Sequence, residues 1–261
     1  MPSRLVKILH LSDLHFGRIE PKVLSALESF IKTHKESLDL IILTGDLTQR
    51  AKKSEYLEAR KFLDTFDCPL FLIPGNHDIP LYNIFLRLFT PYRKFLKYIG
   101  PLAKNFYEDD NLAVYGIWST NHFTIKSGRL FKKDIKDLED KFKDIPDHKI
   151  RIIASHHPLL DKGSHHLKSK IKKMIDLRPH LFLSGHEHQS NVQYLNDEKQ
   201  FPLLISSGTS SSSRVRDESN SFNLISIDEN KSVTVETFAF ENNGFICSNT
   251  FKTLPAASSS F

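Results

Sequence analysis

Leu5-Val6-Lys7-Ile8-Leu9-His10-Leu11 runs directly into Ser12-Asp13-Leu14-His15. A short apolar run that stops abruptly in a carboxylate and an imidazole reads as a buried strand ending in a polar loop. The pattern recurs along the chain. Residues 40–43 lead to Gly45-Asp46, 70–73 to Gly75-Asn76-His77-Asp78, 150–154 to Ser155-His156-His157-Pro158, and 181–183 to Gly185-His186-Glu187-His188. Apolar runs at 112–117 and 202–205 predict two more buried strands. Helical patterns at 21–34, 54–66, 134–142 and 166–175 separate them; in the first, Val23, Leu27, Phe30 and Ile31 recur at helical spacing with Lys22, Glu28 and Lys32 between. Strands alternating with helices predict an α/β fold of mixed sheets packed in layers.

Beyond about residue 220 the pattern changes to period two. Residues 222–227, 232–240 and 245–251 alternate apolar and polar side chains and predict a closing β-meander with Asp-Glu-Asn and Glu-Asn-Asn-Gly turns. We expect one domain over 1–254 and a flexible tail at 255–261. The 261 residues carry a net charge of +5, with basic and acidic residues interspersed, which argues against a dedicated nucleic-acid surface. No run approaches the ~18 apolar residues of a membrane helix. Lys7, His10 and Asp13 interrupt any leader-like apolar core, and the 2 Cys form no CxxC pair, so a protein of a reducing cytoplasm is expected. The unusual count is histidine, at 13 copies.

Six of those histidines (His15, His77, His156, His157, His186 and His188) stand at the strand ends. Open α/β sheets bind ligands at the carboxyl edge of their strands, and five loops there carry Asp, Asn or His, all hard or borderline metal ligands. In Asp13-x-His15 and His186-x-His188, a strand-like spacing would turn both side chains to one face. Gly45 and Gly75 stand where the chain must turn and approach closely. Seven candidate ligands drawn from these five loops overfill a single site that must keep open positions. They suit two divalent ions and hydrolytic chemistry. Any one of these motifs alone would be an ordinary turn or cap; their conjunction is what points to metal.

Asp13-x-His15, Gly45-Asp46, Gly75-Asn76-His77-Asp78, His156 and Gly185-His186-x-His188 together resemble the motif set of the calcineurin-like metallophosphoesterases, in order from residue 8 to 188. The resemblance implies a four-layer αββα sandwich. It implies Asp13, His15 and His188 on one metal, Asn76, His156 and His186 on the other, and Asp46 bridging. His77, partnered by Asp78, would stabilise or protonate the leaving group. The metals would be two ions of Mn, Fe, Zn or Co. Residues 11–17, 45–51, 75–83 and 128–130, Gly208-Thr209, Arg214-Val215-Arg216 and 220–223 are similar to the bacterial cyclic-nucleotide phosphodiesterase-like group. The chain departs from that group at Trp118, where such proteins usually carry Asp or Asn.

The activity so implied is hydrolysis of a cyclic nucleotide or similar small phosphodiester by a hydroxide bridging the two ions. The alternatives are a pyrophosphohydrolase acting on a nucleotide-linked lipid precursor, a nuclease, and a non-catalytic metal-binding scaffold. Either His156 or His157 could be the ligand of its loop; the resemblance favours His156, with His157 behind it or facing phosphate. His10 is read as a core residue, and His165-His166 as a solvated helix start rather than a substrate contact. The serine-rich stretch 206–213 with Arg214 and Arg216 is either a plain flexible loop or a phosphate-facing one. Residues 79–107 are aromatic and basic, and Pro91 and Pro101 divide them into two short helices. This insert reads as a substrate cap beside the metals, as a surface for anionic lipid, or as helices packed on the core with a solvated basic face.

Overall fold

A computed structural model describes residues 5–124, 127–158, 168–195, 201–215 and 218–253. The expected tail, His165, His166 and Arg216 lie outside the described residues. Three parallel strands, β1 (Val6–Leu11), β2 (Leu40–Leu43) and β3 (Leu70–Leu72), follow the first apolar runs. The second set is β4 (Phe106–Glu108), β5 (Leu112–Ile117), β6 (Ile150–Ser155), β7 (Leu181–Ser184), β8 (Asn191–Tyr194) and β9 (Leu203–Ser206). The meander supplies β10 (Ser221–Ile227), β11 (Val233–Glu241) and β12 (Gly244–Lys252). One sheet has the order β12-β11-β10-β1-β2-β3 and the other β4-β5-β6-β7-β9-β8, so each is mixed. The β11–β12 hairpin turns through Asn242 and Asn243, both at positive φ, as a tight turn of matching twist requires.

Buried side chains explain the layers. Val6, Ile8, Leu40 and Ile42 face Val114, Ile152, Leu183 and Ile205 across the space between the sheets. Alternate residues Leu9, Leu11, Ile41 and Leu43 face outward onto α1 (Pro21–His34) and α2 (Lys53–Leu63) through Leu27, Ile31, Tyr56 and Phe62. On the far side, Tyr115, Ile153 and Phe182 pack on α5 (Lys132–Phe142) and α6 (Lys168–Asp176) through Leu138, Phe142 and Met174. Strands covered on both faces read as continuous apolar runs rather than alternating ones. The αββα sandwich expected from the sequence is therefore present. Two edge strands, β4 and β8, had no sequence signal: each is short, and none of their residues is buried.

The aromatic-basic segment forms α3 (Ile84–Phe89) and α4 (Arg93–Tyr98), divided near Pro91 as expected. Phe95 of the second helix and Ile99 just beyond it join the α1/α2 core, while Trp118, directly after β5, packs on Tyr92 and Phe95. The expected solvated basic face needs correction at Arg87. It is buried and donates to the carbonyls of Pro80, Asn121, His122 and Thr124.

Candidate metal centre

Parallel pairing aligns the loops that carry the candidate ligands. Leu11 pairs with Leu43, and Ala154 with Leu183, so the loops that follow leave the sheets side by side. Asp13 N–H then donates to Gly45 O at 3.1 Å, His15 N–H to Asp46 O at 2.9 Å, and Gly185 N–H to His156 O at 3.0 Å. Gly45 has φ +95°, and a Cβ there would sit 2.7 Å from the backbone nitrogen of Gly75. Gly75 is extended; its missing side chain makes room for Asp46 instead.

Seven predicted ligands converge. Asp13 Oδ1 lies 3.5 Å from His15 Nε2 and 3.8 Å from His188 Nε2. Asp46 Oδ2 lies 3.8 Å from His15 Nε2 and 3.5 Å from His156 Nε2, so this carboxylate faces both ends of the cluster. Asn76 Oδ1 lies 2.9 Å from His156 Nε2 and 3.1 Å from His186 Nδ1. Three sets of donor atoms close enough to share an ion result: Asp13/His15/His188, Asp13/Asp46/His156 and His156/His157/His186. Asp13 Oδ1 and both ring nitrogens of His15 are buried without a hydrogen-bond partner. Such orphaned atoms are costly in an interior unless a ligand completes them. A buried set of carboxylate, amide and imidazole donors fits borderline divalent cations.

Outer partners orient the rings. His156 Nδ1 donates to Thr44 O at 2.8 Å, which aims Nε2 at Asp46 and Asn76. His188 Nδ1 pairs with Thr209 Oγ1 at 2.5 Å, which turns its Nε2 toward Asp13. Burial and repulsion from His156 lower His186 to about 4; burial lowers His188 to about 4, although Asp13 opposes it. Both imidazoles are thus neutral near pH 7, the form that binds metal. Burial would raise Asp13 and Asp46, but the neighbouring imidazoles win and hold both carboxyls below their usual range.

The spacing argument for i, i+2 pairs requires correction. Asp13, His15, His186 and His188 have φ between 51° and 74°, so these segments are left-handed turns, not strand extensions. Accordingly His186 and His188 diverge: the first meets His156 and Asn76, the second Asp13.

Asp78 also departs from expectation. Its carboxylate accepts from Leu47, Thr48 and Gly75 backbone N–H groups and from Thr48 Oγ1, and so fastens the two loops together. The group that orients His77 is the Gln49 carbonyl, 2.7 Å from Nδ1. The other nitrogen, Nε2, lies 2.9 Å from Arg214 Nη1 and accepts its hydrogen. Burial lowers the pKa of His77, and the Arg214 charge acts in the same direction.

His157 is buried with Nδ1 against Ser119 Oγ at 2.8 Å, and its ring is 4.5 Å from that of His186. The serine stretch is neither a loose loop nor a row of substrate-facing hydroxyls. Ser207, Ser210, Ser211 and Ser212 are buried; Ser210 Oγ accepts from Ser12 N–H, and Ser211 Oγ donates to Leu14 O. These contacts brace the Asp13/His15 loop. His10 is buried against Thr44 Oγ1, the core position expected of it. Thr44, Gln49, Ser119 and Thr209 received no site role from the sequence, because nothing in a Thr, Gln or Ser announces its distant imidazole partner.

Fold and site define a metal-dependent phosphoric ester hydrolase: the calcineurin-like phosphoesterase family profile matches residues 6–190, and the chain belongs to that family. Within it, the chain is 25% identical over 203 residues to the 3',5'-cyclic adenosine monophosphate phosphodiesterase CpdA of Escherichia coli strain K12, covering 70% of each protein. It is 27% identical over 175 residues to the glycerophosphodiester phosphodiesterase GpdQ of Enterobacter lignolyticus, covering 60% of this chain and 58% of that one. The purple acid phosphatase PPD1 of yellow lupin shares the fold, with a TM-score of 0.66 at 13% identity over 96% of this chain and 54% of the other. Among the described residues, no helix is long and apolar enough to cross a membrane.

Proposed function

We propose that this chain, acting as one domain, is a binuclear phosphodiesterase for a small phosphodiester, a cyclic nucleotide being the first candidate. The observation that carries the reading is the Asp46 carboxylate, within 4 Å of both His15 Nε2 and His156 Nε2, with partnerless donor atoms at the His15 end. Asp13, His15 and His188 would hold one divalent ion, Asn76, His156 and His186 the other, and Asp46 both. Ions so held supply an activated water and polarise the phosphoryl group. The similarity to CpdA and GpdQ supports a diester over a monoester substrate.

The protein's own groups complete the chemistry. His77 keeps its proton on Nδ1 against Gln49 O, so Nε2 enters the reaction as an acceptor and orients Arg214. Proton donation by His77 would require an imidazolium beside that guanidinium, which burial and the Arg214 charge oppose, although Asp46 favours it. Arg214 therefore supplies the positive charge that meets the phosphoryl oxygens or the departing alkoxide, and His77 positions it.

The test is hydrolysis of bis(p-nitrophenyl) phosphate and cyclic AMP by protein reconstituted with Mn²⁺, Fe²⁺, Zn²⁺ or Co²⁺, with metal content measured in parallel. Asp46→Ala should lose metal and turnover together, whereas His77→Asn should lose turnover and keep its metal. Absence of turnover with all four ions overturns the enzymatic reading. Wild-type rates in His77→Asn overturn the role of the His77–Arg214 pair.

A further inference from the structure

Phe85 and Phe89 of α3 stack on one another and face solvent, 77% and 74% exposed. Tyr82 and Ile84 just before them are 71% and 68% exposed, and Phe123 on the loop after β5 is 75% exposed. The other exposed large apolar residues among those described, such as Leu5, Leu57 and Ile246, are scattered and reach 50% at most. Single exposed apolar residues are ordinary, but a cluster of aromatic rings marks a contact surface.

The fold builds this surface deliberately. Arg87, one turn within the same helix, is buried. Its guanidinium donates to Asn121, His122 and Thr124 carbonyls at 2.5–3.0 Å and to Pro80 O at 3.1 Å. A cation in that position clamps the 121–124 loop, which carries the exposed Phe123, to the helix that carries Phe85 and Phe89. Tyr82 also lies under Arg50, whose guanidinium carbon is 5.4 Å from the ring centre. Arg50 follows Gln49, the residue that holds His77, so the patch adjoins the mouth of the candidate metal centre.

Charge identifies the occupant. Residues 79–107 contain five Lys or Arg and no Asp or Glu, and residues 118–133 contain four Lys or Arg and again no acid. Two such faces from two copies would repel one another. Ile84 and Leu88 add aliphatic surface that stacks on no nucleobase. Exposed aromatic and aliphatic side chains carried on two basic, acid-free segments match the interface of an anionic bilayer, where rings enter the acyl boundary and cations meet lipid phosphates.

We propose that the α3/121–124 surface is a peripheral docking site for anionic membrane, which turns the phosphodiesterase mouth toward the lipid headgroups. The docking is independent of turnover. The experiment is co-sedimentation of the full chain with vesicles of phosphatidylcholine alone or with one third phosphatidylglycerol, at low and high salt, comparing the wild type with a Phe85→Ser/Phe89→Ser/Phe123→Ser variant. Expected is pelleting with the anionic vesicles, weakened by salt, and a loss of partitioning on the order of a hundredfold in the variant. Because these three side chains lie outside the metal cluster, hydrolysis of soluble bis(p-nitrophenyl) phosphate should be unchanged, which also shows that the variant is folded. A wild type that stays in the supernatant with both vesicle types overturns the proposal. So does binding that ignores the three substitutions, or a patch-dependent dimer or oligonucleotide complex formed without vesicle binding.

Discussion

Replacing Gly75 by alanine tests whether the position of Asp46 is set by the space beside it. Gly75 has φ −103° and ψ −178°, so alanine can adopt its backbone without strain. The obstacle is volume. A Cβ at this position would lie 2.8 Å from Asp46 Cγ, and closer still to Asp46 Oδ1 and to its backbone nitrogen. Rotating the carboxylate would relieve the first clash but not the one with the nitrogen. Both strands are also pinned: Gly75 N–H donates to Asp78 at 2.9 Å, and His77 N–H to Asp46 Oδ1 at 2.8 Å. Restoring ordinary contact distances therefore separates the loops by roughly 1 Å, at a cost of about 1–3 kcal/mol for overpacking. For a chain of this size that lowers Tm by roughly 3–10 °C. A shift of that order in a reacting constellation costs about a hundredfold in rate. The assay combines thermal unfolding, metal content after reconstitution and turnover of bis(p-nitrophenyl) phosphate. Gly244→Ala, where a Cβ meets nothing within 4 Å, is the control and should match the wild type. A Gly75→Ala protein that binds wild-type metal and turns over at the wild-type rate refutes the reasoning, whatever its Tm.

Arg214→Met keeps an unbranched side-chain stem and removes the charge; kcat/KM for a phosphodiester should fall about a hundredfold with metal content unchanged. Thr209→Val removes the partner of His188 Nδ1, and metal affinity measured by chelator competition should weaken roughly 10–100-fold. His180 is depressed from 6.5 to about 3, chiefly by burial and further by Lys231 and Arg151. A depressed histidine contributes stability that is complete above its unfolded pKa and is lost as pH falls toward the folded one. Urea unfolding should therefore show a loss of about 2 kcal/mol from this group between pH 6.5 and pH 5, absent in His180→Asn.

Most of the strands and the five loops that carry the candidate ligands were legible because their signals are local. An apolar run ending in Asp, Asn or His is contained within ten residues, and parallel pairing of neighbouring strands brings such endings together. What escaped was long-range or short. Thr44 and His156 stand 112 positions apart yet share a hydrogen bond. Arg87 has the sequence appearance of a surface cation in a basic helix, but its environment is set by carbonyls 34 to 37 residues downstream. Ser207–Ser212 has the composition of a loose loop, and only the return of the chain beside β1 buries it. Likewise the role expected for Asp78 followed from adjacency in sequence; a residue one position from His77 faces the opposite way when the intervening backbone is a 3₁₀ turn.

The left-handed conformation of Asp13, His15, Asp46, His186 and His188 joins these observations. A strand continued past Leu11 or Ser184 would send alternate side chains to opposite faces and scatter the donors. Coiling the chain into the left-handed region at the ligands gathers them at one point, at a cost of about 1 kcal/mol or more per residue. Five such residues approach the ~5–15 kcal/mol by which a domain is stable, so no ligand loop could hold this shape alone. Each leans on the next. Asp13 N–H binds Gly45 O and His15 N–H binds Asp46 O. Asp13 Oδ2 accepts from Ser12 Oγ and from His186 N–H. Ser210 holds Ser12 through both its backbone and its hydroxyl. The candidate centre is therefore a property of the two packed sheets together: β1, β2 and β3 supply one side, β6 and β7 the other, and the strain at the left-handed ligands is borne by neighbours from different strands.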